Sequence, residues 1–225
     1  MLKTEHAGKI EQDPESRQRR LDMLEGQLAM MSDNMDDKKA EIMLNLGTLY
    51  LEFQSKQDAW DMAWQAFTYY IDQENWEFAV IACDILMSAE QKDSIKALAH
   101  GIWIGVSYPI NPETTVAILQ HLIDESPPGS DTQAVVAVAA HYIADIRKPA
   151  GQAGENLLFL TSQRLAEIAA KHRNISNQQE FDIWMQGNEF DNPDSFLPKL
   201  SMAVSALVED SWWIDRDALR AKIPD

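Results

Sequence analysis

The chain has 225 residues, 45% of them hydrophobic, which is enough to build one large domain or two small ones around a buried core. Its 36 acidic and 19 basic residues give a net charge of −17, which argues against nucleic acid and anionic membranes as partners and favours basic protein surfaces or plain solubility. The single cysteine, Cys83, cannot form an internal disulfide. The start of the sequence has no apolar core of signal-peptide length, and nowhere do about 18 apolar residues follow one another as a membrane span requires, so we expect a cytoplasmic protein.

Helical periodicity runs through almost the whole chain and predicts an all-α fold. The first helix is predicted to begin at Asp13-Pro14-Glu15, where a capping residue precedes a proline at the first helical position. It is predicted to end at Ser32-Asp33-Asn34. Residues 1–36 are therefore expected to form an N-terminal helical region.

Three pairs of helices are predicted between residues 37 and 148. The predicted ranges are 37–53 with 56–73, 75–88 with 93–107, and two helices that begin near 112 and 131. Short connections between amphipathic helices produce antiparallel hairpins. The hairpin starts lie 38 and 37 residues apart, a spacing typical of helical repeat arrays.

The small and flexible stretch at residues 148–154 predicts a linker before a C-terminal helical part, residues 149–225. The predicted helices there span about 155–172, 176–186, 198–209 and 215–222, with a break at 191–194. We expect this part to cap the array by covering its apolar end.

Residues 40–67 resemble one unit of the tetratricopeptide repeat family. Asn45-Leu46-Gly47 and Tyr50 match the signature of the first helix, and Ala59 and Ala66 match the small residues of the second. Small residues are expected at these positions because Gly47 and Ala59 remove side-chain bulk where the two helices cross.

Departures from the family pattern occur within the unit and beyond it. Gln54 stands where the family often has glycine, Ala63 replaces a usual aromatic residue, and Ile71 stands where a proline commonly ends the second helix. The second and third hairpins lack the Leu-Gly and Tyr pair, so they are tetratricopeptide-like in length only.

The resemblance implies a right-handed array with a concave groove that binds a protein or peptide, and it does not imply an enzyme. By the family pattern, the groove residues would be Glu41, Leu44, Thr48, Leu51 and Glu52. This set contains no basic residue, which argues against the terminal-carboxylate ligand that the family is known to clamp. We expect a non-enzymatic adaptor or assembly chaperone whose partner presents basic residues.

No motif supports catalysis or a cofactor. The chain has no glycine-rich phosphate loop and no nucleophile elbow, and Cys83 lies among apolar residues that predict a core position. The acidic run Ser32 to Asp37 superficially resembles a magnesium-binding segment, but its place at a helix junction predicts capping. We therefore expect no catalytic residue and no bound metal.

Two groups of residues leave alternatives open. His100, His121 and His141, with carboxylates one turn away from His121 and His141, define a weaker alternative, a helical metalloprotein. The adjacent Trp212 and Trp213 cannot point the same way, which predicts a surface or subunit contact for at least one and is compatible with a homo-oligomer. The high negative charge equally suits an acidic inhibitor or immunity-type protein that blocks a basic partner.

Overall fold

In the computed structural model, which describes residues 14–209 and 211–223, the chain folds entirely into helices joined by short connections, and no strand occurs within these ranges. The helices are α1 (Pro14–Ala29), α2 (Asp37–Glu52), α3 (Lys56–Asp72), α4 (Trp76–Ser88), α5 (Ser94–Ser107), α6 (Pro112–Glu125), α7 (Asp131–Arg147), α8 (Gln152–Arg173), α9 (Gln178–Gly187), α10 (Pro193–Val208) and α11 (Arg216–Arg220). The predicted all-α fold is confirmed. Pro14 begins α1 as predicted, although the expected capping residue Asp13 lies outside the described residues.

Helices α2 to α7 pack as three hairpins of adjacent helices, and each hairpin packs against the next. Their first helices begin at Asp37, Trp76 and Pro112, which lie 39 and 36 residues apart. Helix α2 also contacts α4, and α4 contacts α6, so the first helices of successive hairpins share one layer. Stacking of this kind is what a helical repeat array requires.

The ends of α2 and α3 share one backbone motif. Gln54 and Glu74 adopt left-handed conformations with φ of 59° and 55°. The amide of the residue after each, Ser55 or Asn75, donates to a carbonyl five residues earlier. This is the Schellman arrangement, which ends a helix and turns the chain sharply into the next one. The two turns therefore reverse the chain in the same way, which helps to keep the stack regular.

Small residues lie where helices of the stack come closest. A Cβ atom at Gly47 would lie 3.1 Å from Cγ2 of Ile85 and 3.4 Å from the carbonyl oxygen of Ala59. In the second hairpin, a Cβ at Gly101 would lie 2.8 Å from Cβ of Cys83. The predicted close approach of α2 and α3 at Gly47 and Ala59 is confirmed, and the second hairpin has its own glycine for the same purpose.

The hydrophobic interior divides into a large cluster and a small one. The large cluster runs through all three hairpins and on into α8 and α10, while the small one joins Leu21 and Leu24 of α1 to one side of α2. Helix α2 therefore packs on three sides, against α1, α3 and α4. Only a narrow strip of α2 faces solvent.

The C-terminal part lies along the second helices of the hairpins. Helix α8 packs against α7, whereas α10 packs against both α5 and α7. Residues 211–223, which we call the C-terminal segment, then reach back to α3 and to the turn before α4, where Lys222 pairs with Glu74. The prediction that residues 149–225 cap the end of the array stays a prediction.

One predicted boundary in this part is wrong. The expected break at residues 191–194 contains the start of α10, because Asn192 caps the helix by accepting from the amide of Asp194, and Pro193 follows at the first helical position. Pro198, expected to begin the helix, lies inside it.

Candidate functional site

The residues predicted to face a groove lie along α2, and the structure divides them by burial. Glu41, Thr48 and Glu52 are exposed, and Leu51 is half-buried. Leu44 is only 5% exposed and belongs to the large hydrophobic cluster. Leu44 therefore stabilises the hairpin and offers little surface to a partner.

Helix geometry explains this division. At 100° per residue, Glu41, Thr48 and Glu52 fall within about 40° of one another around the helix axis. We call these three residues the α2 strip. Leu44 and Leu51 lie to one side of it, where they pack against the large cluster.

Within the part of the chain that the structure describes, the polar side chains of the α2 strip and of its neighbour Asn45 bond only to their own helix or face solvent. Oγ1 of Thr48 donates to the carbonyl of Leu44 at 3.1 Å, and Nδ2 of Asn45 donates to the carbonyl of Glu41 at 2.9 Å. Within residues 14–209 and 211–223, neither Glu41 nor Glu52 has an ion-pair partner. The strip thus carries two carboxylates that are free to pair with an external cation.

The neighbouring first helices differ, because side chains bridge them. Glu77 on α4 accepts from the hydroxyl of Thr114 on α6, and Nε2 of His121 donates to Asp84 at 2.6 Å. This hydrogen bond to a carboxylate raises the pKa of His121. Arg164 on α8 in turn pairs with Asp124 on α6 at 2.6 Å. These acidic side chains already have partners within the protein, in contrast to the two on α2.

The three histidines considered as metal ligands lie at separate places. His100 and His141 bond to Lys96 and Thr161, while His121 bonds to Asp84. The described part of the chain contains no group of three or more His, Cys, Asp or Glu side chains placed to hold a metal ion. The metalloprotein alternative thus gains no support from the arrangement of these side chains.

The structure also shows the roles of Asp36 and Cys83. Asp36 caps α2 by accepting from the amide of Lys39 at 2.8 Å, as the capping interpretation of the acidic run predicted. Cys83 is completely buried, and burial raises the pKa of its thiol well above the usual value. A buried thiol of this kind is a poor nucleophile.

Trp212 and Trp213 each contact other residues of the chain, and both rings lie beside His100. The ring of Trp213 lies 4.6 Å from that of Trp64 on α3 and 4.4 Å from that of His100, measured between centroids. The guanidinium of Arg216 lies 4.0 Å from the centroid of the Trp212 ring. Both tryptophans are half-buried and help to hold the C-terminal segment on the hairpins.

One polar network, formed by Asp131, His172 and Trp184, is not predicted by any sequence pattern. Nε1 of Trp184 donates to Nδ1 of His172 at 2.9 Å, and Nε2 of His172 donates to Asp131 at 2.7 Å. Because Asp131 accepts this hydrogen bond from His172, the pKa of the Asp131 carboxyl group is lowered. The network joins α7, α8 and α9, and its members are 41 and 12 residues apart, so no local motif predicts it.

Comparison of the chain with protein-family models, with curated proteins and with solved structures gives no match. The helices of the described region include none with the length and apolar character that crossing a bilayer requires. The interpretation of the α2 strip therefore rests on its own geometry and charge.

Proposed function

We propose that this protein is a non-enzymatic interaction module, an intracellular adaptor or assembly chaperone that holds a segment of a partner protein along the α2 strip. The observation that carries the proposal is the pair of exposed carboxylates, Glu41 and Glu52, on a rigid helix that is packed on three sides. Such carboxylates can select a basic partner, and the helix that carries them needs no ordering when the partner binds.

The spacing of these carboxylates indicates the chemistry of the partner. Glu41 and Glu52 are separated by about three helical turns, or about 16 Å along the axis. An extended segment covers about 3.3 Å per residue, so two basic residues about five positions apart would reach both carboxylates. The half-buried Leu51 beside the strip would contact an apolar side chain between them.

We further propose that the hairpins form a right-handed tetratricopeptide-like array with the C-terminal helices as its cap. The regular spacing of the first helices and their shared layer support this arrangement. Arrays of stacked hairpins present extended surfaces to proteins and peptides, which agrees with a binding function.

A charge-reversal experiment tests the proposal. The double substitution Glu41→Lys with Glu52→Lys changes only exposed side chains, and Asp61→Lys with Asp72→Lys on α3 is a matched control with the same charge change and the same spacing. The proteins retained from a cell extract by immobilised wild type should be retained by the control and lost from the α2 variant. Equal retention by both variants would contradict the assignment of the strip.

The net charge of −17 favours a second candidate, an acidic inhibitor that blocks a basic partner. The two functions differ in their dependence on salt. Association that is steered by the whole charge of the protein slows sharply as ionic strength rises, whereas binding at one strip with an apolar contact changes less. A decrease in the association rate of more than about a hundredfold between 50 and 500 mM salt would favour the inhibitor.

A further inference from the structure

A cavity of about 140 Å³ lies between α5 and α10, apart from the α2 strip. It is lined by Ile102, Trp103, Val106, Ser107, Leu197, Leu200, Ser201, Val204 and Arg220. The most deeply buried of these side chains, Ile102, Leu200 and Val204, are at most 3% exposed. The inner wall of the cavity is therefore apolar, and the cavity is partly open to solvent.

The volume of the cavity is well above that of a single water molecule, so it has room for a small ligand. An engineered and enclosed apolar cavity of about 150 Å³ in another protein binds benzene. An apolar group of about six to eight carbons would fill this space and regain the dispersion contacts that the lining side chains lack.

The mouth of the cavity is polar and positively charged. The guanidinium of Arg220 lies 6.0 Å from the centroid of the Trp103 ring, which forms part of the wall. No carboxylate of the described ranges lies within ion-pair distance of Arg220. In a chain with almost twice as many acidic as basic residues, an arginine without such a partner is well placed to bind an external anion.

A second guanidinium adds positive charge nearby. Arg147 donates to the carbonyls of Gly105 and Val106, both at 2.7 Å, at the end of α5 where Val106 lines the cavity. Ser107 and Ser201 also line the cavity, and within the described residues neither side chain makes a hydrogen bond. The polar groups at the mouth can thus donate to the oxygens of a carboxylate.

We propose that this cavity binds a small amphipathic monocarboxylate, with its apolar chain between α5 and α10 and its carboxylate at Arg220. The ligand would hold α10 against α5. It would therefore raise the stability of the protein by mass action, without contact with the α2 strip.

Titration calorimetry with octanoate tests the proposal on the full chain. We expect one saturable site per chain, with octanol, which has the same chain length but no charge, binding at least about tenfold more weakly. Arg220→Gln should weaken octanoate binding about tenfold, because a charge-assisted pair is lost. The control Arg20→Gln, on the exposed side of α1, should leave it unchanged.

A second pair of variants tests the place of the apolar chain. Ser201→Phe puts a ring at the mouth from an exposed position and should abolish binding, whereas Met202→Phe, at a neighbouring side chain that is 74% exposed, should not. The proposal is overturned if octanoate shows no saturable binding, if octanol binds as tightly, or if Arg220→Gln or Ser201→Phe binds like wild type.

Discussion

The backbone of Gly47 on α2 faces the backbone of α3 at Ala59 so closely that a Cβ on Gly47 would lie 3.4 Å from the carbonyl oxygen of Ala59. On its other side, the same Cβ would lie 3.1 Å from Ile85 of α4. Gly47 thus lies where three helices of the stack meet. A side chain larger than a methyl group at this position would have to displace Ile85 or separate the helices.

Gly47→Leu should lower the free energy of unfolding by about 2 to 3 kcal/mol, because overpacking at a helix crossing forces backbone shifts. The matched control is Gly26→Leu, since a Cβ at Gly26 has no atom within 4 Å and leucine favours a helix over glycine. Urea unfolding of both variants measures the difference. If Gly47→Leu is as stable as wild type, the helices do not approach as described.

The left-handed conformation of Gln54 predicts that a substitution there stabilises the protein. Because Gln54 has a φ of 59°, replacement by glycine should relieve strain and raise the free energy of unfolding by about 1 kcal/mol. Gln65→Gly, at an exposed position inside α3, should lower it by about the same amount. Thermal melts of the two variants should therefore shift in opposite directions, and a shared direction would contradict the left-handed turn.

His100 holds the C-terminal segment through its neutral ring. Its Nδ1 bonds to the carbonyl of Lys96 at 2.7 Å and therefore carries the proton, while Nε2 accepts from the amide of Trp213 at 2.8 Å. Burial of the ring lowers the pKa of His100 to about 4. A second proton would remove the acceptor for Trp213.

This pKa predicts a loss of stability in mild acid. An unfolded histidine titrates near 6.5, so the unfolded chain binds more protons than the folded chain between pH 6.5 and 4, and stability falls as the pH falls through this window. The contribution is about 3 kcal/mol in total. The stability of His100→Gln relative to wild type should therefore improve by about this amount from pH 7 to pH 4.

His121 provides a control of opposite sign. Asp84 raises the pKa of His121, so its contribution is present below pH 6.5 and is lost as the pH rises through the raised value. His121→Gln should therefore lose stability relative to wild type only in acid. Equal pH dependence of the two variants would contradict the environment described for His100, and NMR titration of the His100 ring in wild type gives an independent check.

The hairpins were predictable because their signals are local. Asn111 followed by Pro112 at the start of α6 specifies a helix start within two or three residues, and the structure has the helix where this signal predicts it. The same signal at Asn192-Pro193 begins α10, and the helix start predicted at Pro198 is wrong. A proline within the first two turns does not by itself identify the start of a helix.

The path of the C-terminal segment could not be predicted. Trp213 contacts Trp64, which lies 149 positions earlier in the chain, and no local pattern specifies such a contact. The burial of Leu44 was missed for a related reason. The family pattern places it towards the groove, but here it belongs to the large hydrophobic cluster, because α2 packs against neighbours on three sides.

The most direct test of the α2 strip is the dissociation constant of a partner that wild type retains from an extract, measured with purified proteins at constant salt. Glu41→Lys with Glu52→Lys should weaken binding at least about tenfold, because two attractive charges become repulsive. Asp61→Lys with Asp72→Lys should stay within about twofold of wild type, since these residues lie on α3. Equal dissociation constants for the two double variants would contradict the assignment of the α2 strip as the binding surface.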